Sequence, residues 1–291
     1  MADFRFRLNP PAGGLPHCCA VLNGRGTRYA VHNYRTTLSV KSVTRGAARY
    51  WTPQGQYLVT PDSFLVLNGG QRYSLEFEGD GRLPTETLCP FFQPGFVEQA
   101  WTRALDDLQP EAPALEFCER LCPKTGAMGL ALADLDAGLR APQVSTAWLE
   151  DRIYALGAAL AGLHLATRRE AQTFPGLRAA TRWELYRRLY RARDFLLSCY
   201  SQPITVAQAA RAAGIAPFHF QRMFKLAFRR TPMQFLQHTR LEAARRLLAG
   251  TEDDVTAICL AVGFESLGSF SWLFRKRFGV PPRAFRKNSQ D

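Results

Sequence analysis

The chain has no long apolar run and no leader-like opening. In its 291 residues, no stretch approaches the roughly 20 consecutive apolar residues that a membrane-spanning helix needs. The opening carries Arg5 and Arg7 and then two prolines, whereas a secretory signal would place an apolar segment there. We therefore expect no signal peptide, no membrane contact and a cytoplasmic location.

Cysteine and histidine are too sparse to suggest a disulfide framework or a metal site. The seven cysteines are odd in number and include no CxxC pair, so we expect reduced thiols, buried as small apolar residues. Only His17 and His32 fall in the region of predicted strands, too few for a metal-dependent cupin. The chain also has no phosphate-binding loop and no recognisable nucleophile–base pair. We expect no metal, no cofactor and no enzyme.

Acidic residues are scarce in the C-terminal part. Residues 175–291 contain 20 Lys and Arg against 8 Asp and Glu, whereas residues 1–174 contain 17 of each. The whole net charge of +12 therefore lies in the C-terminal part. A domain-level imbalance of this size is typical of a protein that binds a polyanion, although a generic basic surface would also explain it.

The C-terminal part contains an internal repeat. Before each copy's aromatic block, a short helical segment ends at a glycine, Gly214 in the first copy and Gly263 in the second. Phenylalanines four apart lie on one face of a helix, so each copy is predicted to be a helix, a glycine turn and an anchored second helix, which is a helix-turn-helix. The residues that recur fifty positions apart are Phe220, Phe224, Phe228, Pro232 and Phe235, repeated as Phe270, Phe274, Phe278, Pro282 and Phe285.

The same region resembles a known family of regulators. The run Arg240-Leu-Glu-Ala-Ala-Arg-Arg-Leu-Leu248, the stretch 255–264 and the Phe274-Arg275 and Pro281-Pro282 pairs are similar to the signature of the AraC/XylS transcription regulators. The resemblance spans about residues 183–288. It implies a double helix-turn-helix DNA-binding domain that acts with RNA polymerase at promoters, usually as an activator. The helix that connects the two helix-turn-helix copies is predicted to begin at Thr231-Pro232 and to end near Gly250.

The resemblance also assigns the DNA-contacting positions. Arginine can donate two hydrogen bonds to guanine and glutamine can pair with adenine, whereas Phe218 can only contact a thymine methyl or a sugar. Arg222 is equally well explained as a phosphate contact, and Trp272 as a core residue. Leu267 and Gly268 cannot recognise the hydrogen-bond donors and acceptors of base edges. The second helix of the first copy is therefore expected to carry most of the sequence specificity. The expected base contacts are Phe218, Gln221, Arg222, Ser269 and Trp272, and the expected phosphate contacts are Lys225, Arg229, Arg230, Arg275, Lys276 and Arg277.

Residues 1–143 show the pattern of short strands. Tyr73, Leu75 and Phe77 alternate with polar residues, which indicates a half-buried strand. Similar runs at 38–41 and 64–67 are separated by turn signals, including Gly24–Gly26, Gly46 and Gly79–Gly81, and this spacing favours an antiparallel barrel or sandwich. In the AraC/XylS family this half is often a cupin-like barrel that senses an effector. Four aromatic residues are weak candidates for an effector pocket, with plain core as the alternative: Tyr50, Trp51, Tyr57 and Tyr73.

Residues 144–182 are predicted to be helical and to carry the dimer contact. Apolar residues there follow a 4-3-4-3 spacing, which is typical of helices that pair across an interface. Packing onto the protein's own barrel explains the spacing nearly as well. The resemblance favours a homodimer, because many relatives pair through helices in this place, and residues 173–176 are interpreted as a linker. The expected seam is Leu149, Ile153, Leu156, Leu160 and Leu163.

Another amphipathic stripe precedes this segment. Its members are Phe96, Val97, Ala100, Trp101, Ala104, Leu105 and Leu108.

The sequence therefore predicts a two-domain α+β protein. Residues 1–143 would form a cupin-like antiparallel β-barrel with helices, 144–182 a dimerisation and linker segment, and 183–288 an all-α double helix-turn-helix. The predicted function is a sequence-specific regulator of transcription that senses a small molecule. Two alternatives remain open: a ligand-free regulator whose N-terminal half binds a partner protein, and an enzyme fused to a DNA-binding domain.

Overall fold

The protein divides into two compact units, which meet in sequence between Arg187 and Arg188. Within the part of the chain that is described, no helix combines the length and the apolar character needed to cross a membrane. Predictions that involve His17, Leu105, Leu108, Gly79–Gly81 and Pro175-Gly176 fall outside the described part. The computed structural model describes residues 4–8, 19–78, 84–104, 115–141, 144–174 and 178–290.

The described residues of the first unit form two β-sheets. The hydrogen-bonded order is β1-β2-β9-β4-β7-β10 in the larger sheet and β3-β8-β5-β6 in the smaller one, and only β1 pairs in parallel with its neighbour. The strands are β1 (Phe4–Leu8), β2 (Cys19–Gly26), β3 (Ala30–Arg35), β4 (Leu38–Arg45), β5 (Ala47–Thr52), β6 (Gly55–Val59), β7 (Ser63–Leu67), β8 (Arg72–Glu78), β9 (Thr85–Phe92) and β10 (Leu121–Pro123).

A sheet-rich, mainly antiparallel N-terminal region is thus confirmed, but the closed barrel is wrong. Each sheet keeps two edge strands among the described residues, so the arrangement is that of two separate sheets. The alternation of apolar and polar residues predicts strands and their buried faces. It does not specify which strands pair, because pairing depends on partners that are distant in sequence.

Two glycine-containing segments that the sequence predicts to be turns differ in the structure. Gly46 lies between β4 and β5 with a φ of +77°, as a tight turn requires. Gly24–Gly26, interpreted as a turn, instead continues β2. A Cβ at Gly24 would lie 2.8 Å from Thr87 Oγ1, and the Gly24 N–H donates to that oxygen at 3.2 Å. Glycine is therefore needed here for a close approach between strands.

The helices that lie wholly within the described residues of the first unit are α1 (Phe96–Ala104), α2 (Gly126–Leu139) and α3 (Thr146–Gln172). They cover one face of the larger sheet, since Val40, Phe64 and Phe92 share a core cluster with apolar residues of all three helices. The sequence analysis did not predict α2. Its segment has three glycines and is apolar almost all round, so it lacks the one-sided periodicity that marks an amphipathic helix.

The interpretation of the α3 leucine spacing as a dimer seam is contradicted. Leu156 and Leu160 have no exposed surface, and Leu149 and Ile153 are also buried. All four lie in the core cluster of the same unit, with Leu163 packed against its edge. This face is already covered by the chain's own α1, α2 and sheet, so it is not available to a second copy. Packing on the chain's own sheet, which was the open alternative, is what the structure shows.

The second unit is all-helical. Its first helix, α4, begins within the first unit's residues and ends within the second unit's. Phe174, placed by the sequence in the linker, is buried against Tyr186, with ring centroids 5.3 Å apart. The helices are α4 (Ala179–Ser198), α5 (Val206–Ala213), α6 (Pro217–Phe228), α7 (Pro232–Gly250), α8 (Val255–Ala261), α9 (Leu267–Phe278) and α10 (Pro282–Gln290).

Candidate nucleic-acid interface

The first helix-turn-helix consists of α5, a turn and α6. Thr205 and Gln208 form a capping box at the start of α5, in which each side chain satisfies a backbone N–H of the other residue. Gly214 ends α5 with a φ of +62°, a left-handed conformation that glycine adopts without strain. Pro217 occupies the first turn of α6, where its missing N–H leaves no hydrogen bond unmade. Local sequence therefore determines both ends of the turn.

The second helix-turn-helix consists of α8, a turn and α9. Asp254 caps α8 by accepting from Thr256 N at 2.8 Å, and Gly263 turns the chain with a φ of +91°. Ser266 accepts from Ser269 N at 3.4 Å and so caps α9. The two copies thus share one plan, with different capping residues.

The repeated phenylalanines form two matching aromatic cores. Phe220, Phe224, Phe270 and Phe274 have no exposed surface. Phe224 lies 4.5 Å from Phe228 and 5.7 Å from Phe235, centroid to centroid. Phe274 lies 4.5 Å from Phe278 and 5.6 Å from Phe285. Nearly equal spacings at residues fifty positions apart show that the sequence repeat is a structural repeat.

The connecting helix α7 holds the two copies together. It spans Pro232–Gly250 behind a Thr231–Gln234 capping box, as the sequence predicts. Arg240 in α7 donates from Nε to Tyr200 O at 2.7 Å and from Nη2 to Gln202 O at 2.8 Å. These hydrogen bonds attach the loop after α4 to α7, the helix that connects the two helix-turn-helix copies. Two recognition helices are therefore presented on one framework.

The residues predicted to contact bases lie on the exposed surfaces of α6 and α9. Phe218 is 82% exposed, and Gln221 and Arg222 are exposed on the same helix. On α9, Ser269 is exposed and Trp272 is 62% exposed. The core alternative for Trp272 is therefore wrong, because Phe270 and Phe274 fill that core without it. The base-contacting role of all five residues stays a prediction.

All six predicted phosphate contacts are also exposed, namely Lys225, Arg229, Arg230, Arg275, Lys276 and Arg277. Arg277 differs, because its Nη2 pairs with Glu242 Oε1 of α7 at 3.1 Å. Burial alone would raise the pKa of Glu242, but its hydrogen bond and ion pair with Arg245 and the nearby Arg277 lower it overall. Arg277 therefore helps to join α9 to α7, a contact that the sequence analysis did not predict.

Arg229 has an unusual backbone. It ends α6 with a φ of +58°, whereas the equivalent residue in the second copy is Gly279, with a φ of +82°. A left-handed conformation costs a residue with a Cβ roughly 1–2 kcal/mol relative to glycine. The first copy therefore retains an arginine at a position where glycine would be more stable, which supports a role for its charge.

Of the four candidate effector residues, Tyr50, Tyr57 and Tyr73 share one face of the smaller sheet, whereas Trp51 follows Tyr50 on β5 and lies on the other face. Tyr50, Tyr57 and Tyr73 are buried, whereas Trp51 is half-buried. Lys41, which the sequence analysis missed, lies among them with only 1% of its surface exposed. Its Nζ donates to Tyr73 Oη at 3.4 Å. No sequence signal singled it out, because a lysine within an alternating strand reads as a polar outward residue.

The cluster around Lys41 has the features of a perturbed polar site. The Nζ also lies 3.9 Å from the centre of the Phe91 ring, and none of the described residues forms an ion pair with it. Burial lowers the pKa of Lys41 to about 8. Burial likewise raises the pKa values of Tyr50 and Tyr73 above their ordinary range. A buried cation without an anionic partner destabilises a fold, so such groups are often functional.

Metal ligands do not gather in the described part of the chain. No three His, Cys, Asp or Glu side chains there are placed to hold an ion. His32 is exposed on β3. The six cysteines within the described residues are buried free thiols.

Known proteins are similar to parts of this chain. A family model described as a helix-turn-helix domain matches residues 209–288. The HTH-type transcriptional regulator Rv1931c of Mycobacterium tuberculosis is 34% identical over 82 residues, which are 28% of this chain and 32% of that protein. The HTH-type transcriptional regulator CdhR of Pseudomonas aeruginosa is 29% identical over 189 residues, 62% of this chain and 53% of that protein.

A solved structure of a probable AraC family transcriptional regulator from Rhodopseudomonas palustris is also similar, with 27% identity and a TM-score of 0.34. The match covers 35% of this chain and 96% of that one. The chain spans about a third of the length of Rv1931c and about half of that of CdhR.

Two helix-turn-helix copies joined by one connecting helix define a double helix-turn-helix DNA-binding domain. The resemblance noted in the sequence is confirmed for this domain: residues 209–288 match the helix-turn-helix family model, and the relatives named above are helix-turn-helix transcriptional regulators.

Proposed function

We propose that the protein is a sequence-specific DNA-binding regulator of transcription, an activator that works with RNA polymerase and responds to a small molecule. The observation that carries the DNA-binding part is the structural repeat: two capped, aromatic-anchored recognition helices in the basic part of the chain. Each presents exposed side chains on one face and buries its phenylalanines on the other. Such a helix fits the major groove, which is wide enough to admit it.

Within this proposal, α6 reads bases and both helices contact phosphates. Gln221 and Arg222 are exposed near the start of α6 and have side chains that can form paired hydrogen bonds with base edges. Lys225, Arg229 and Arg230 follow at its end, and Arg275 and Lys276 lie on α9. Cations at these positions would neutralise phosphates that flank the groove and release counterions.

Two exposed arginines provide a matched test of base against phosphate contact. Arg222→Ala and Arg275→Ala each remove one positive charge from a recognition helix. We expect Arg222→Ala to relax base preference in one half of the site by about 1–3 kcal/mol per lost bidentate contact. We expect Arg275→Ala to weaken binding to all sequences alike and to reduce the slope of log affinity against log salt by about one.

Selection from a randomised DNA library with the full chain, followed by salt titration, measures both effects. Failure of the parent chain to enrich any sequence would remove the proposed function. If instead Arg222→Ala lowers affinity uniformly and Arg275→Ala changes the preferred bases, the two roles are reversed.

For the first unit we propose effector sensing around Lys41. The supporting observation is that one cation, two tyrosine hydroxyls and the Cys89 thiol lie close together between the sheets. A ligand group that hydrogen-bonds to Lys41 and Tyr73 would relieve the cost of burying them. This places the proposed effector contact at Tyr50 and Tyr73, as the sequence suggested, and adds Lys41.

A second candidate role for the first unit is favoured by an exposed groove between α2 and α3. The groove has a volume of about 980 Å³. Its α3 wall consists of small residues and Leu163, and Leu130 at its α2 wall is 74% exposed. An exposed leucine beside a groove of small residues is self-complementary, as a two-fold interface requires. We therefore propose that a second copy of the chain docks here. The small residues of the α3 wall are Ala155, Ala158, Ala159, Gly162 and Ala166.

Leu130→Glu is expected to weaken the homodimer at least about ten-fold, because it places an unpaired charge in an apolar contact. Leu130 is exposed, so the variant should fold like the parent. Sedimentation equilibrium of the full chain measures the dissociation constant. Leu260→Glu is the control, since Leu260 is 60% exposed in the second unit. A parent chain that is monomeric at micromolar concentration, or a Leu130→Glu dimer as stable as the parent's, would eliminate this interface.

A further inference from the structure

The two recognition helices expose more large apolar surface than folding explains. Of the seven large apolar residues that are exposed in the described part of the chain, four lie on α6 and α9. Isolated exposed apolar residues are common, but a concentration on two equivalent helices indicates a binding surface. These residues are Phe218 and Leu226 on α6 and Leu267 and Trp272 on α9.

Packing does not account for these side chains. The aromatic core of each copy is complete without them, since Phe220, Phe224, Phe270 and Phe274 are fully buried. Phe218 lies two residues before Phe220 and points to solvent with 82% of its surface. Exposing a phenylalanine gives up the stabilisation of its burial, so a function must account for it.

The neighbouring charges identify the occupant of this surface. Arg222 and Lys225 are exposed within two turns of Phe218, and Arg275 and Lys276 lie within one turn of Trp272. The Nζ of Lys276 lies 4.9 Å from the centre of the Trp272 ring, an attraction that helps to hold the indole in place. An apolar surface rimmed by cations suits a polyanion such as duplex DNA, whose regularly spaced phosphates can neutralise those cations.

Duplex DNA offers one apolar group at its base edges in the major groove, the C5 methyl of thymine. We propose that Phe218 of α6 and Trp272 of α9 read thymine methyl groups in the two halves of the site. This inference rests on the proposed function. It gives the second helix a base preference of its own, where the sequence alone suggested phosphate and shape contacts.

Replacing thymine by deoxyuridine tests the proposal, because it removes the methyl and leaves base pairing unchanged. A site selected with the full chain would be resynthesised with deoxyuridine at one thymine at a time. We expect one sensitive position in each half, roughly 10 base pairs apart, at which affinity falls about four-fold, the effect of one buried methyl group.

The variants assign each position to a side chain. Phe218→Ala should bind the thymine and deoxyuridine sites equally at the first sensitive position and keep the loss at the second. Trp272→Ala should show the opposite pattern. Leu260→Ala, on α8, is the control and should behave like the parent at both positions. All three residues are exposed, so their variants should melt like the parent.

The outcomes separate this inference from the function on which it rests. If no sequence is selected from the library, both fall together. If a site is selected but no deoxyuridine substitution lowers affinity, DNA binding stands and methyl reading is overturned. Methyl sensitivity that persists unchanged in both Phe218→Ala and Trp272→Ala also overturns it, because other side chains would then be the readers.

Discussion

Phe224→Ala is expected to destabilise the second unit by about 3–5 kcal/mol, because it opens a cavity in a core that cannot fully collapse. Phe224 has no exposed surface, and its ring lies 4.5 to 5.7 Å from those of Phe220, Phe228 and Phe235. Removing the ring takes away contacts with three others at once. Urea-induced unfolding, followed through signals from the second unit, measures the change in the free energy of unfolding.

Phe218→Ala is the matched control for this prediction. Both phenylalanines lie on α6, but Phe218 is 82% exposed, so its removal should change stability by less than about 0.5 kcal/mol. Phe274→Ala should match Phe224→Ala, because its ring has nearly the same neighbours in the second copy. If Phe224→Ala unfolds like the parent and loses only DNA binding, then the assignment of core and contact faces on α6 is inverted.

Leu156→Lys is expected to unfold the first unit rather than to dissociate a dimer. Leu156 is fully buried in the cluster that joins α3 to the sheet. A lysine there loses the apolar contacts and buries an unpaired ammonium group, which together cost more than about 4 kcal/mol. Circular dichroism and chemical unfolding of the full chain should show a much less stable first unit, with the second unit still folded.

Leu130→Lys is the control for Leu156→Lys, because it introduces a lysine at an exposed position. It separates a loss of folding stability from a loss of dimer assembly. Leu130→Lys also introduces a lysine on the helical side of the first unit, but Leu130 is 74% exposed, so its fold should be unaffected. The original interpretation of the leucine spacing makes the opposite prediction for Leu156→Lys. A stable, fully folded Leu156→Lys chain that has changed from dimer to monomer would restore the dimer seam on this face of α3.

In the second unit, features that depend on neighbours in sequence were predicted correctly from the sequence. The connecting helix begins at Pro232 and ends at Gly250, because its capping box, proline and last turn are all local signals. The repeat of phenylalanines placed both recognition helices and their buried faces, since residues four apart share a helix face in any tertiary context. The charge imbalance between the two parts of the chain is likewise a property of composition.

Long-range packing decided the rest. The spacing of Leu149, Ile153, Leu156 and Leu160 specified an apolar helix face, but only the tertiary structure shows that the chain's own sheet covers it. Lys41 has the sequence context of an outward-facing strand residue, and its burial between two aromatic rings depends on strands β8 and β9. Trp272 resembled a core residue until Phe270 and Phe274 were seen to fill the core. Periodicity specifies which residues share a surface, and contacts between residues far apart in sequence determine what that surface meets.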